Sequence, residues 1–199
     1  MMVVAQHCPK LETLELPVHS GITYNSLLAL SERGLPLIEL NILDIPNIPT
    51  ADIARYCSHA LSCIRSLDTS YHQNNIEEVS VILPYMTGLT SVFLGGSTPS
   101  YIPLLTQYCH KITEIAVYGD NYSIQDILSL CHANPLLQVL FSSKEWGLTD
   151  TTLIELIHAC PHLHTLYLSK EMNFTNIAII ALSEHCTQLQ ELDIHNSKK

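Results

Sequence analysis

The chain has 199 residues, of which 47% are hydrophobic, and nine Lys and Arg against nineteen Asp and Glu give it a formal net charge of −10. This apolar content suffices for the continuous core of one domain, and no run of 18 or more uncharged apolar residues is present that would span a membrane. Nucleic acid is not an expected partner because phosphate backbones require clustered basic side chains, whereas a neutral or basic protein surface suits the acidic charge.

The cellular compartment is predicted from the N-terminus and the cysteines. Residues 1–10 lack the basic-then-apolar design of a secretory signal. The seven cysteines are an odd number without a short-range pairing pattern, which argues against a disulfide framework. We therefore expect a reducing compartment, either the cytoplasm or the nucleus.

The predicted strands lie at regular intervals from the first dozen residues to the last handful. Three positions with the spacing L-x-x-L-x-L, apolar in 22 of 24 cases, recur every 23 to 28 residues. In chain order the eight copies are Leu11-Leu14-Leu16, Leu37-Leu40-Ile42, Leu61-Ile64-Ser66, Leu89-Val92-Leu94, Ile112-Ile115-Val117, Leu137-Leu140-Ser142, Leu163-Leu166-Leu168 and Leu189-Leu192-Ile194. Self-similarity at this period predicts an α/β leucine-rich-repeat solenoid of about eight strand–helix repeats, with a parallel concave sheet and helices on the convex side.

The third copy of the triplet is ambiguous. It can be read as Leu61-Ile64-Ser66, or shifted by three residues so that Ile64 and Leu67 are its first two apolar positions. The choice matters because the residues between the apolar positions point to the opposite face of the strand.

Between the triplets the apolar spacing is helical. One helix is predicted from Leu153, Leu156, Ile157 and Cys160, and the next from Ile177, Ile180 and Leu182. Side chains that can cap a helix N-terminus stand just before these runs and before the helix that precedes them; they are Ser123, Thr149 or Asp150, and Thr175.

The cysteines follow the same period. Cys8, Cys109, Cys160 and Cys186 each lie three residues before the first apolar position of a triplet, and Cys57 lies four before Leu61. A helix is expected to end there and turn toward the strand, where a small buried thiol packs well. The alternative is a reactive or metal-binding role.

Two segments carry a resemblance to a known family. The runs LTDTTLIELIHACPHL over 148–163 and FTNIAIIALSEHCTQL over 174–189 resemble the cysteine-containing leucine-rich repeat, I-T-D-x-x-L-x-x-L-A-x-x-C-P-x-L-x-x-L-x-L. This repeat, in the ribonuclease-inhibitor-like superfamily, is typical of F-box proteins, the substrate receptors of Skp1–cullin–F-box ubiquitin ligases, and of antagonist of mitotic exit network proteins.

The resemblance implies that the chain is a substrate-binding region for ubiquitin-dependent degradation. The alternative is a free-standing scaffold or inhibitor with no ubiquitin-ligase role. We expect residues 1–199 to form one solenoid domain that lacks one or both caps and contains no F-box, so that contact with Skp1 would require an F-box outside these residues.

The candidate binding face consists of the residues that flank the second and third positions of each triplet. Four consecutive repeats place an aromatic residue there: Phe93, Tyr118, Phe141 and Tyr167. With strands about 4.8 Å apart, these would form a stripe on the order of 15 Å long. Charged candidates on the same face are Glu15, Glu39, Arg65, Glu191 and Asp193.

This arrangement would suit a protein partner with an apolar centre and basic ends. The alternative is that the aromatic residues only shield one another on the strand surface. Trp146, the only tryptophan, is expected to pack on the following helix near Leu148 rather than to anchor a partner.

Catalytic and metal-binding patterns are weak. The H-x-C-x-H-x-H run of His158, Cys160, His162 and His164 has zinc-ligating residue types, but a helix end followed by a turn should point them in different directions. Nucleophile elbows and phosphate- or dinucleotide-binding glycine loops are missing from the sequence. We therefore expect no enzymatic activity, cofactor or metal.

Overall fold

The computed structural model describes residues 7–14, 24–32, 35–36, 39–40, 61–62, 64–68, 80–95, 101–119, 121–169 and 173–195. Strands and helices alternate along these ranges. In chain order they are β1 (Thr13–Leu14), α1 (Tyr24–Glu32), β2 (Glu39–Leu40), β3 (Ser66–Asp68), a 3₁₀ turn (Leu83–Tyr85), β4 (Ser91–Leu94), α2 (Ile102–Tyr108), β5 (Glu114–Val117), α3 (Ile124–Ala133), β6 (Val139–Ser142), α4 (Asp150–Ala159), β7 (Thr165–Ser169), α5 (Asn176–His185) and β8 (Glu191–His195).

All the described strand pairs are parallel and lie in sequence order. β1 pairs with β2, and β3 to β8 form a six-stranded sheet in which each strand is hydrogen-bonded to the next. Successive helices α2 to α5 pack on one another in the same order. This is the strand–helix solenoid that the triplets predict, so the predicted fold class is confirmed.

The apolar triplet positions form rows through the core. The strand register aligns Leu67, Val92, Ile115, Leu140, Leu166 and Leu192 across the six strands. The four central members of this row are fully buried, whereas Leu192 on the last strand is 44% exposed. Burial therefore depends on having a repeat on both sides, as expected when each unit buries its apolar face only by stacking.

Ser142 is the polar member of a second core row, next to Val117 and Leu168. It is fully buried, but its hydroxyl accepts a hydrogen bond from the Lys144 backbone N–H (3.1 Å) and donates one to the Lys144 carbonyl (3.0 Å). A buried polar group with partners carries little penalty. The serine thus closes the turn after β6 without disturbing the core.

The third repeat has the shifted register. Leu67 lies opposite Val92, and the Ile64 N–H bonds to the Leu61 carbonyl as the Leu89 N–H does to that of Met86. The triplet therefore begins at Ile64, and the reading that began at Leu61 is wrong. Both readings bury apolar residues at acceptable spacing, so only pairing with β4 distinguishes them.

The predicted helix caps are present. The Ser123 hydroxyl accepts from the Asp126 N–H (3.2 Å) while the Asp126 carboxylate accepts from the Ser123 N–H (2.9 Å), and Thr149 and Thr152 make the equivalent box at α4. Such caps are worth about 1 kcal/mol each. Of the two candidates at α4, Thr149 is therefore the cap.

Asp150 instead connects two repeats. Its carboxylate accepts hydrogen bonds from the Thr175 N–H (2.7 Å), the Thr175 hydroxyl (2.8 Å) and the Ala178 N–H (3.3 Å) at the start of α5. These bonds lower the pKa of the carboxyl group, the backbone bond from Thr175 contributing most. A residue of one repeat thus satisfies the free helix N–H groups of the next.

Three of the five cysteines predicted to be buried at helix ends are buried, and the prediction for Cys8 is wrong. Cys109, Cys160 and Cys186 follow the last residues of α2, α4 and α5 and are at most 3% exposed. Burial raises the pKa of the Cys109 thiol to about 12, which opposes a reactive role because the thiolate is the nucleophile. Cys8 is exposed, and Cys57 lies outside the described residues.

Asn134 occupies the equivalent position at the end of α3. It is 1% exposed, and its side chain accepts from the Ile112 N–H of the preceding repeat (2.9 Å) and donates to the Leu130 carbonyl of its own helix (3.0 Å). The amide therefore bonds to two backbone groups at once, which a thiol cannot do, because it offers both a strong donor and a strong acceptor.

Among the described helices, none combines the length and the apolar content that a membrane span requires.

Candidate protein-binding face

The sheet has one face against the helices and one open face. Because side chains alternate along a strand, the residues between the core rows point away from the helices. They form two rows across β3 to β8, here called the outer rows: Ser66, Ser91, Glu114, Val139, Thr165 and Glu191 in one, and Asp68, Phe93, Ala116, Phe141, Tyr167 and Asp193 in the other.

Three of the four predicted aromatic residues contact one another on this face. The rings of Phe141 and Tyr167, which are neighbours in register, stack with centroids 4.6 Å apart and an interplanar angle of 21°. Tyr118 lies against the other side of Phe141, at 5.3 Å and 42°. We call Tyr118, Phe141 and Tyr167 the aromatic cluster; aromatic pairs of this kind contribute about 0.5–1.5 kcal/mol each beyond area burial.

The cluster is not the straight four-residue stripe that the sequence predicts. The β5 residue in the aromatic row is Ala116, which is 4% exposed because it lies between the larger Phe93 and Phe141 in register. Phe93 is therefore two strands away from Phe141, about 9.6 Å. Tyr118 follows β5, where its N–H bonds to the Leu94 carbonyl (2.7 Å), and it reaches Phe141 diagonally with 49% of its surface exposed.

The two outer rows contain several carboxylates and no basic residue. Glu114, Glu191 and Asp193 lie on β5 and β8, and Asp68 lies at the β3 end of the aromatic row. Neither outer row of the six-stranded sheet contains a Lys or Arg. The face thus has an aromatic centre within an acidic surround.

Asp68 is not among the candidates predicted from the sequence, because the register that begins at Leu61 places Arg65 on the open face instead. The shifted alternative, Ile64-Leu67, was the signal in the sequence that would have found it.

Arg65 does not lie on this face. It precedes β3, where its carbonyl accepts from the Thr90 and Ser91 N–H groups (both 2.9 Å) and its guanidinium donates to the Ser62 carbonyl (3.0 Å). The guanidinium lies so close over Gly88 that a Cβ at that position would clash with it and with the Ser62 carbonyl. Arg65 is therefore a packing residue at the strand entrance, and its predicted placement is corrected.

The remaining charged candidates are placed as follows. Glu191 is exposed on β8, and Asp193 is half-buried beside Tyr167 in register. The Glu39 backbone belongs to β2, opposite Thr13, but its side chain is outside the described part of the structure. Glu15 also lies outside the described residues. The binding roles of all these residues remain predictions.

A shallow depression of about 430 Å³ lies at the β8 end of the aromatic cluster. Its lining residues come from β7, from β8 and from the residue directly before β8: Thr165, Leu166, Tyr167, Gln190, Glu191, Leu192 and Asp193. Tyr167 belongs both to this lining and to the aromatic cluster, so the depression and the cluster form one continuous surface.

Trp146 and the histidine-rich run lie away from this surface. Trp146 is half-buried and packs against the hydrophobic core, as predicted. Cys160 is fully buried, whereas His158 is exposed on α4 with its ring 4.6 Å from that of His185, and His164 bonds to the His162 carbonyl (2.9 Å). Among the described residues, no three His, Cys, Asp or Glu side chains are grouped as a metal site.

Of three comparisons with known proteins, only the comparison with solved structures found proteins similar to this chain. No protein-family model matches the sequence, and no curated protein matches it either. Rad7, in the crystal structure of the Rad7 and Elc1 complex in yeast, superposes with a TM-score of 0.66 over 97% of this chain at 21% identity. The match covers 52% of the Rad7 chain, so this chain spans about half the length of that protein.

A second similar structure is internalin C2 from Listeria monocytogenes. It has a TM-score of 0.55 and 13% identity, and the match covers 99% of this chain and 84% of the internalin chain. At these identities the comparisons bear on the fold alone. Together with the parallel strand–helix repeats, they show that the chain has a leucine-rich-repeat fold.

Proposed function

We propose that this chain is a protein-recognition module that binds its partner on the open face of the sheet. The observation that carries the proposal is the aromatic cluster, in which the exposed Tyr118 and the stacked pair Phe141 and Tyr167 form one surface surrounded by carboxylates. Aromatic residues are enriched where partners dock, and rigid stacked rings lose little conformational entropy on binding. The mechanism is binding alone, without an enzymatic step.

We further propose that the module is the substrate-binding region of an F-box-type ubiquitin-ligase receptor. The resemblance of residues 148–163 and 174–189 to the cysteine-containing repeat supports this assignment, as do the buried thiols at the ends of three helices. The complex of Rad7 with Elc1 supports the general point that a chain of similar fold assembles with a second protein. The five free cysteines of the described residues suit the cytoplasm or the nucleus as its location.

The recognition step is tested by affinity capture with substitutions on the open face. Phe141→Ala and Tyr167→Ala should each weaken partner binding by about 1–2 kcal/mol, or about five- to thirty-fold. Phe93→Ala tests the part of the face beyond Ala116. Leu136→Ala is the matched control, because Leu136 is 58% exposed in the turn after α3 and away from the outer rows. Unchanged capture by all three open-face variants would refute the proposal.

The ubiquitin-ligase step is tested with the captured partner. Under the proposal, the partner's half-life lengthens when the gene is deleted or the proteasome is inhibited, and Phe141→Ala has the same effect as deletion. The alternative, a free-standing scaffold or inhibitor, predicts binding with an unchanged half-life. Skp1 should associate only with a gene product that contains an F-box, so the full gene product is the form to use.

A further inference from the structure

The depression at the β8 end of the aromatic cluster has two chemically different sides. One is the ring of Tyr167, whose neighbour on the other side is the stacked Phe141. The other is β8, where Asp193 lies opposite Tyr167 in register and Glu191 lies opposite Thr165. An aromatic surface and two carboxylates therefore line the same small volume.

This combination distinguishes between side chains that might enter. An aliphatic side chain would contact the ring but would offer the carboxylates neither a hydrogen bond nor a charge. A lysine ammonium would meet the charge but is compact and strongly hydrated, so it makes poor use of the flat ring. A guanidinium is planar and weakly hydrated, stacks on aromatic faces and can donate two parallel hydrogen bonds to a carboxylate.

We propose that the depression between β7 and β8 is an anchor site for an arginine side chain in an extended segment of the partner protein. The site includes Tyr167, Glu191 and Asp193. The inference rests on the proposed recognition function, because it names the side chain through which the partner is held. The acidic charge of the chain, −10, and the absence of basic residues from the outer rows favour the same occupant.

The spacing of the strands predicts a second feature of the partner segment. Tyr118 at the end of β5 lies between two and three strands from the depression, or roughly 10–14 Å. An extended chain advances about 3.3 Å per residue, so an apolar residue three or four positions from the arginine would reach Tyr118. The partner motif is therefore an arginine and an apolar side chain separated by two or three residues.

A peptide-display selection against the 199-residue chain tests this motif, using random linear peptides with no fixed position. Arginine with an apolar residue three or four positions away should be enriched. The tightest peptide is then synthesised with arginine, with citrulline, which keeps the shape without the charge, and with lysine. The citrulline peptide should have a dissociation constant about tenfold or more above that of the arginine peptide, since hydrogen bonds to charged groups are among the stronger ones. The lysine peptide should show a smaller increase.

The protein variants locate the effect. Asp193→Asn and Glu191→Gln should each reduce the advantage of arginine over citrulline, whereas Glu184→Gln, exposed on α5, is the control and should leave it unchanged. Amide NMR spectra of each variant establish that it folds. Addition of acetyl-arginine-amide to the labelled wild type should shift the signals of Thr165 and Tyr167 more than acetyl-citrulline-amide does.

The outcomes separate the two proposals. If the selected peptide loses binding to Phe141→Ala, but its citrulline and arginine versions bind the wild-type chain equally well, the arginine site is overturned and recognition by the open face stands. Peptides that bind Phe141→Ala as they bind wild type would contradict the proposed recognition face itself. A selection without any linear peptide, together with no NMR shifts from acetyl-arginine-amide, would also overturn the arginine site.

Discussion

Replacement of Asn134 by alanine should destabilise the fold more than any surface change near it. The substitution leaves two buried backbone groups without their partners, the Ile112 N–H of the preceding repeat and the Leu130 carbonyl of α3. Each unsatisfied buried group costs about 1–3 kcal/mol, so the expected loss from the two groups is about 2–6 kcal/mol. This is a large fraction of the 5–15 kcal/mol that is typical of a whole domain.

Urea denaturation followed by circular dichroism measures this loss of stability, provided that wild type and Asn134→Ala each unfold in a single transition. Asn134→Cys should lose less than alanine but still be destabilised, because a thiol is only a weak donor and acceptor. Ser129→Ala is the control, since its hydroxyl makes an exposed bond to the Gln125 carbonyl on the same helix, and it should change stability by less than about 0.5 kcal/mol. A loss below about 1 kcal/mol for Asn134→Ala would refute the assigned role of the amide.

Three further predictions concern charge, thiol chemistry and backbone packing. Hydrogen bonds from Thr175 lower the pKa of the Asp150 carboxyl below its ordinary value of 3.8, so the stabilisation is complete above that pH and is lost as the pH falls through the folded-state pKa. In thermal melts, wild type should therefore lose its stability advantage over Asp150→Asn in this acidic range. A difference in melting temperature that stays constant with pH would contradict this linkage. Iodoacetamide labelling at pH 8, mapped by mass spectrometry, should modify Cys8 in the native protein. Cys109 should be modified only after unfolding, because burial raises the pKa of its thiol to about 12. Equal labelling rates for the two cysteines would count against the buried placement of Cys109. Gly88→Ala should destabilise the packing between the third and fourth repeats by about 1–3 kcal/mol, because the added Cβ meets the Ser62 backbone carbonyl, which cannot move aside as a side chain can. Chemical denaturation indistinguishable from wild type would show that this contact is absent.

The residues that stabilise the core and the residues proposed for recognition alternate along the same strands. Leu140 and Leu166 are fully buried against the helices, whereas Phe141 and Tyr167, next to them in sequence, stack on the open face. Substitutions in the first pair should lower stability by about 2–5 kcal/mol. Substitutions in the second pair should mainly affect binding, and this contrast separates a recognition role from mutual shielding of the rings.

Much of the architecture could be predicted because its signals are local. Leu163, Leu166 and Leu168 have strand spacing whatever surrounds them, and Thr149 caps the helix that follows it through contacts three residues away. The buried position of Cys160 at a helix end follows from the same period. These features depend on neighbours in sequence, which a sequence displays directly.

The candidate site could be predicted only in outline. Ser66 and Asp68, rather than the predicted Arg65, face outward in the third repeat because pairing with β4 selects one of two acceptable registers. The packing of Arg65 over Gly88 likewise involves residues 23 positions apart. Nothing local distinguishes an arginine that packs from one that faces a partner.

The sequence by itself determined the repeat period, the alternation of strand and helix and, outside the third repeat, the set of residues that avoid the core. Only the tertiary structure decided which of those outward residues touch: Phe141 stacks on Tyr167, Tyr118 contacts Phe141 diagonally, and Ala116 lies between Phe93 and Phe141 in register. The physical reason is that the direction of a side chain follows from the local two-residue alternation of a strand. Its neighbours across the sheet are set by the register and strand ends that result when the repeats stack on a shared core.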